Sequence, residues 1–171
     1  MAGEYARIKR LIWLDDDFLD LSPIAQWLYF YLLTDDLSLA GVADWRPKRI
    51  IPKSKGLTLD VLESAATELQ DALYLVIDED TEEALIRSFI RHDGLLKQPK
   101  MGVAVAKAYG AVASRKLRGV LVHELKRLQV DDPMLKGWDS LTEILRKPSL
   151  NPTEIAAERV PETVSLTGWG T

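Results

Sequence analysis

The amino-acid sequence predicts a mainly α chain with a small β-hairpin, and three observations carry that reading. Apolar residues recur at helical spacing within 22–34, 58–72 and 115–128, and an alanine-rich stretch over 99–112 continues the helical pattern. Two runs rich in branched and aromatic residues, Leu73 to Ile77 and Leu85 to Ile90, flank the polar turn Asp78 to Glu83, which is the pattern of a hairpin. The 171 residues are 47% hydrophobic and 28% charged, an ordinary globular balance in a chain long enough to bury a core without staples.

Taken in order, a first short element spans Tyr5 to Leu14, and Asp15-Asp16-Asp17 leads into Phe18 and Leu19. Ser22 and Pro23 start a helix. The serine can cap free N–H groups, and proline suits a first turn that has no use for its missing donor. Ile24, Trp27, Leu28, Tyr31 and Leu32 form its apolar stripe to Thr34, widened by Tyr29 and Phe30. Ala40 to Trp45 reads as a short strand. Pro52 limits the basic stretch after it to a turn or two of helix before Gly56. Thr58 caps a clearer helix to Ala72, with Leu62, Ala65, Ala66 and Leu69 inward. The hairpin comes next. Beyond Gly94, Pro99 to Val112 and Arg115 to Leu128 read as two helices, the second capped by Ser114 and striped by Leu117, Leu121, Val122, Leu125 and Leu128. A short helix fits Ser140 to Arg146, and from Asn151 onward the polar pattern reads as disordered, or as ordered only on a partner.

Helix, short strand, short helix, helix, hairpin is the order of a winged helix-turn-helix, in which a small sheet caps one open side of a three-helix core. The expected organisation is a winged-helix domain over 1–95, a basic helical extension packed on it over 96–130, and a partly disordered tail over 131–171.

The absence of cysteine removes disulfides, thiolate metal sites and cysteine nucleophiles together. The longest apolar run, Trp27 to Leu33, is far short of the roughly 20 residues a membrane span needs, and no targeting segment is visible, so the cytoplasm is the default expectation. The net charge of −4 conceals a swing along the chain. Residues 1–86 hold 8 Lys/Arg and 17 Asp/Glu, residues 87–127 hold 10 and 2, and residues 128–171 hold 4 and 7. Such a separation points to two surfaces with different partners.

The basic middle third is the strongest functional signal. Arg87, Arg91, Lys97, Lys100, Lys107, Arg115, Lys116 and Arg118 are interrupted by one carboxylate, Asp93. Clustered cations gain by releasing the counterions that condense on duplex DNA. A second group, Arg46, Lys48, Arg49, Lys53 and Lys55, has no acid within it and lies where a helix-turn-helix crosses the phosphate backbone. The helix expected to read bases carries no Lys or Arg and displays Asp60, Glu63, Ser64, Thr67, Gln70 and Asp71. The hairpin turn adds Asp78, Glu79, Asp80, Glu82 and Glu83. Carboxylates facing phosphates are repelled, so seating of that helix and hairpin in the usual grooves is disfavoured. The acidic face is then free for a protein, or for another copy of this chain.

Other clusters carry less. Asp15 to Asp17 point in different directions and read as a turn or helix cap rather than a metal site. His92-Asp93 is a sequence neighbour pair without a nucleophile, and Asp93-Gly94 reads as a turn. No phosphate-cradling glycine loop, paired-histidine motif or serine elbow is present, so neither an enzyme, nor a metal, nor a cofactor is expected. Trp13, Trp27 and Trp45 are expected in the core, Trp138 packed back onto the domain, and Trp169 is left open.

The stretch Ile12-Trp13, Asp17-Phe18, Leu21-Ser22, Ala25-Gln26, Leu28-Tyr29, Leu32-Leu33-Thr34 and Ala40-Gly41-Val42 resembles the N-terminal winged-helix domain of phage replisome-organiser and replication-initiation proteins. The run Leu85 to Gly94, with Gln98-Pro99-Lys100 after it, is similar to actinobacterial and actinophage proteins described as helix-turn-helix DNA-binding proteins. The resemblance covers roughly residues 5–128. It implies a winged helix and DNA binding in phage replication or its control, including transcription regulation. It also implies a host replication protein as partner, with Arg87, Arg91, Lys97 and Lys100 at the contact. The acidic reading helix departs from that family's usual pattern, as do the loosely patterned residues that stand where replisome organisers continue into a longer C-terminal part.

The function expected is therefore binding of DNA, double-stranded for preference, with no membrane partner. The alternative is a protein-interaction module, a homodimer or a host-protein binder, without DNA affinity.

Overall fold

The computed structural model describes residues 4–92 and 94–159. The expectations placed on Asp93 and Trp169 fall outside the described residues. A 3-10 turn over Arg10–Leu14 leads into α1 (Asp16–Leu19), then α2 (Pro23–Thr34), β1 (Val42–Asp44) and α3 (Pro47–Ile50), which a 3-10 turn over Ile51–Lys53 extends. After these come α4 (Leu59–Asp71), β2 (Leu75–Asp78), β3 (Glu83–Ile86) and α5 (Phe89–His92). The chain continues through α6 (Pro99–Gly110), α7 (Arg115–Asp131), a 3-10 turn over Trp138–Leu141 joined to α8 (Thr142–Leu145), and α9 (Pro152–Glu158).

The helix starts are where the cap residues put them. Ser22 Oγ accepts from Ala25 N at 3.2 Å, Thr58 Oγ1 from Val61 N at 3.3 Å, and Ser114 Oγ from Leu117 N at 3.1 Å. Asp15 turns inward, caps α1, and accepts the Tyr74 hydroxyl at 2.9 Å, so the acidic run is a helix start. α4 ends in a Schellman-type closure, with Tyr74 N bonded to Leu69 O and Leu73 N to Gln70 O. Leu73 occupies its left-handed position at φ 65°, where glycine would be unstrained. The second hairpin run divides differently from the sequence expectation: β3 stops at Ile86, and Phe89–His92 coils into α5.

The sheet is antiparallel in the order β1-β3-β2, with Val42 opposite Leu85 and Val76 opposite Leu85 on the other side. It is covered on both faces. Ala43, Leu75, Ile77, Ala84 and Ile86 point into a first core with Phe18, Leu28, Leu32, Ile50, Leu62 and Leu69. Val42, Val76 and Leu85 point the opposite way, into a second core with Leu96, Val105, Leu117, Val120, Leu121, Leu125, Trp138 and Leu141. The period of two along each strand assigns neighbouring residues to different cores. The sheet expected to cap the three-helix core is therefore the middle layer between two helical layers.

In the first core, Phe18 is fully buried and meets Trp13, Tyr29, Phe30 and Tyr74 edge-on at 5.4 to 6.0 Å. Trp45 is buried, but Trp13 is 56% exposed, covering Phe18 from outside rather than joining the core as expected. The second core reaches further along the chain than the sequence pattern does. Trp138 is buried and its indole N–H donates to Asp132 O at 2.9 Å. Leu150 N donates to Gly119 O at 2.9 Å, and Asn151 caps α9, where residues from 151 on were expected without structure. Arg159 then ties the end of α9 to Asp71 of α4 at 2.8 Å.

Candidate nucleic-acid interface

α4 presents the face that the sequence describes. Asp60, Glu63, Ser64, Thr67 and Asp71 are exposed. Two of its polar residues have structural duties. Glu68 accepts both the backbone N–H and the hydroxyl of Ser22 at 2.6 Å, locking α4 to the start of α2, and Gln70 accepts from Ile77 N at 3.2 Å.

The hairpin acids are less available than their sequence suggests. Glu83 accepts from Ala113 N at 3.1 Å and Ser114 N at 2.8 Å, and Asp78 accepts the Ser114 hydroxyl. Lys116 Nζ donates to Ile77 O at 2.7 Å. Free N–H groups and the positive end of the macrodipole at the start of a helix favour carboxylates, so two hairpin acids anchor the first turn of α7. Glu82 pairs with Arg46 at 3.2 Å, which leaves Glu79 and Asp80 as the exposed acids without a protein cation among the described residues.

The Ser114 hydroxyl, helped by Lys116 and opposed by burial, holds the Asp78 carboxyl below its ordinary value of 3.8. A carboxyl lowered in the folded state contributes stability above its unfolded pKa, and that contribution fades as pH falls through the folded value. Asp78→Asn is therefore expected to cost about 1 kcal/mol at neutral pH. The gap from the unsubstituted protein should close as pH drops below about 4. Urea midpoints at the two pH values check this, and a gap that does not narrow would contradict it.

Arg87 and Arg91 do not face solvent as a DNA contact. Both converge on Glu124, which sits mid-helix in α7 and is fully buried. Arg87 Nη1 lies 2.9 Å from Oε1, and Arg91 Nε contacts Oε2. Their side chains are 17% and 14% exposed, and Arg127 adds a third charge at 3.7 Å. Arg87 Nε also donates to Leu73 O at 2.7 Å, supporting the strained end of α4. The physical reason is the single buried carboxylate, which cannot be left without counter-charges. Lys116 and Arg118 are half-exposed and engage main-chain carbonyls rather than a buried carboxylate. Lys116 is committed to Ile77 O, and Arg118 Nη1 donates to Val112 O at 2.9 Å.

The sequence contained a signal for Glu124. It stands three residues after Leu121 and seven after Leu117, on the apolar stripe of α7, so its burial accords with helical spacing.

Of the remaining expected cations, Lys48, Arg49, Lys53, Lys55, Lys97, Lys100, Lys107 and Arg115 are exposed and make no ion pair among the described residues. They fall into separate groups. The cations of 46–55 belong to the segment leading into the capped start of α4, whose Ile50 packs in the first core. Lys100 and Lys107 lie two turns apart, about 10 Å, on the outer face of α6, whose Val105 and Tyr109 pack in the second core. The sheet stands between them, so the two expected cation groups pack on different cores. Arg7, Lys9 and Arg10 add exposed cations outside both of the expected groups.

Burial pushes the His92 imidazole below 6.5, with Arg91, Lys9 and Arg87 adding to the effect and Glu124 opposing it. Among the described residues no group of three or more His, Asp or Glu is placed to hold a metal ion, and no helix is long and apolar enough to cross a membrane.

Comparison of the chain with protein-family models, with curated proteins and with solved structures found no match.

Proposed function

We propose that this chain is a winged-helix protein that binds duplex DNA, acting in phage or mobile-element replication initiation or its regulation, and that the contact is centred on residues 46–55. The order α2, β1, α3, α4, β2, β3 and the sheet order β1-β3-β2 support the winged-helix reading. One observation carries the DNA reading: Lys48, Arg49, Lys53 and Lys55 are exposed and unpaired among the described residues, with no acid between them, on the turn that enters α4. In a helix-turn-helix that segment lies against the phosphates. The acids of α4 oppose deep entry into the major groove, so the contact is to the backbone and carries little sequence information. The place in replication rests on the family resemblance alone.

The test is fluorescence anisotropy with a random-sequence duplex across a salt series. Four phosphates neutralised correspond to a slope of log affinity against log salt of about −3.6. Lys48→Ala, Arg49→Ala, Lys53→Ala and Lys55→Ala combined should flatten that slope toward zero and weaken binding to every duplex alike. Undetectable binding of the unsubstituted chain at about 50 mM salt removes the DNA reading.

A protein partner is the second reading, favoured by the exposed apolar side chains Tyr5, Leu11 and Leu14 before α1, which are 83%, 67% and 75% accessible. Light scattering that gives a dimer, together with no DNA binding, would select it.

A further inference from the structure

The segment before α1 does more than cover the first core. It roofs a cavity of about 400 Å³, at the lower end of the range for small-molecule sites. Ile12, Leu33, Ile86 and Phe89 make its walls apolar. Tyr29 and Ser88 contribute polar side chains to the lining, as does Tyr74, whose own hydroxyl is committed to Asp15. Arg7 and Lys9 stand along the lining as its cationic groups, with the His92 imidazole, whose protonation burial disfavours, beside them.

We propose that this cavity binds a small amphipathic anion, an aromatic or short-chain carboxylate or sulfonate. The apolar body would lie against Leu33, Ile86 and Phe89, and the anionic group would lie against Arg7 and Lys9.

The charges around the cavity decide the sign of the ligand. Asp15 is the one acid in the lining, and its oxygens are occupied: Oδ1 accepts from Asp17 N at 3.1 Å and Phe18 N at 3.4 Å, and Oδ2 accepts the Tyr74 hydroxyl. Arg7 and Lys9 make no ion pair among the described residues. Arg87 and Arg91, close enough to His92 to disfavour its protonation, bring two positive charges against the single negative charge of Glu124. A cationic ligand would meet net repulsion there. A neutral one would leave the Arg7 and Lys9 charges without a partner.

The polar lining adds specificity. Burial raises the Tyr29 phenol above its ordinary value, with the Ser88 hydroxyl opposing, so the two hydroxyls are neighbours and one O–H of the pair can donate to an ether, hydroxyl or carboxylate oxygen. This site is on α2, β3 and α5 and does not depend on the DNA contact at 46–55.

The experiment uses the full chain and two fluorescent probes of similar shape. One is 1-anilinonaphthalene-8-sulfonate, which is anionic, and the other is N-phenyl-1-naphthylamine, which is neutral. The expected result is saturable one-to-one binding of the sulfonate, displaced by octanoate. Arg7→Glu with Lys9→Glu should weaken the sulfonate at least tenfold and leave the neutral probe within about twofold, since removing a charge partner acts on the charged ligand. Ser88→Leu, which adds bulk to the cavity, should weaken both probes. Arg7 and Lys9 are exposed, so their substitution puts the fold at little risk, and unchanged sulfonate affinity in that pair overturns the proposal even if Ser88→Leu fails to fold. Absence of saturable sulfonate binding to the unsubstituted chain also overturns it.

Discussion

Replacement of Glu124 by alanine is expected to destabilise the protein by about 3–5 kcal/mol, enough to unfold much of a marginally stable domain. The carboxylate is wholly buried in α7 and is the shared counter-charge of Arg87 and Arg91, whose side chains are themselves largely covered. Removing it leaves two guanidinium groups facing each other in a site of low dielectric, and Arg87 can no longer hold Leu73 O without remaining there as an uncompensated charge. Glu124→Gln keeps the shape and loses the charge, so its loss should lie close to that of alanine. The ion pair need not be a net stabiliser. A triple substitution of Glu124, Arg87 and Arg91 by apolar residues of similar volume should recover most of the loss, because desolvating three charged groups is itself costly. Urea unfolding of the three variants measures this, and a Glu124→Ala loss below about 1 kcal/mol would mean that water reaches the cluster. The same logic separates fold from function at the arginines. Arg87→Ala and Arg91→Ala should act on DNA binding through loss of folded protein, whereas the four substitutions in 46–55 should act with the melting temperature unchanged.

The second large effect is expected at Gly102. A Cβ built there would lie 2.3 Å from Gly137 O and 2.9 Å from Gly137 Cα, so α6 and the turn before Trp138 touch backbone to backbone. Alanine ordinarily gains about 1 kcal/mol over glycine in a helix interior. Here the opposing atoms are main chain and cannot step aside as a side-chain tip would. Overpacking should win, at about 3 kcal/mol net loss, with Trp138 and Leu141 displaced from the second core. Gly110, at the end of the same helix, supplies the control, since nothing lies within 4 Å of its built Cβ. Gly110→Ala should be neutral or slightly stabilising. If both variants melt together with the unsubstituted chain, the close approach of α6 to Gly137 is wrong.

Much of the fold was legible because its determinants are local. Ser22, Thr58 and Ser114 each cap the helix they precede, and the apolar stripes of α2, α4 and α7 keep the helical repeat. β1 could be read from Ala40 to Trp45, yet only pairing in space sets it against β3. The regions after Asp131 were harder. Trp138, Leu141 and Ile144 are spaced by threes, which suffices for the short helix expected over Ser140 to Arg146 and for a packed Trp138, but only the second core shows what they pack against. Asn151 and Pro152 are a helix start of the same kind as Ser22 and Pro23, but residues 153–158 are too weakly apolar to show a stripe.

The candidate site was legible by charge and not by position. A count of cations along 87–127 treats Arg87, Arg91 and Lys97 alike. Burial makes them different: two are ligands of Glu124, and the third is exposed. The hairpin acids Asp78 and Glu83 look like a surface hostile to phosphate, but they are anchors for the N–H groups at the start of α7.

By itself, then, the sequence determined the longer helices α2, α4, α6 and α7, their starts, the hairpin and the charge each segment carries. These come from capping, from periodicity and from composition, all of which act between residues near one another in the chain. Tertiary structure decided that the sheet is covered on both faces, that Glu124 gathers Arg87 and Arg91, and that the cations of 46–55 and of α6 lie on opposite sides of it. Those outcomes depend on which distant groups share a desolvated space. There the cost of an unpaired charge is greatest, and the linear order of residues does not record the pairing.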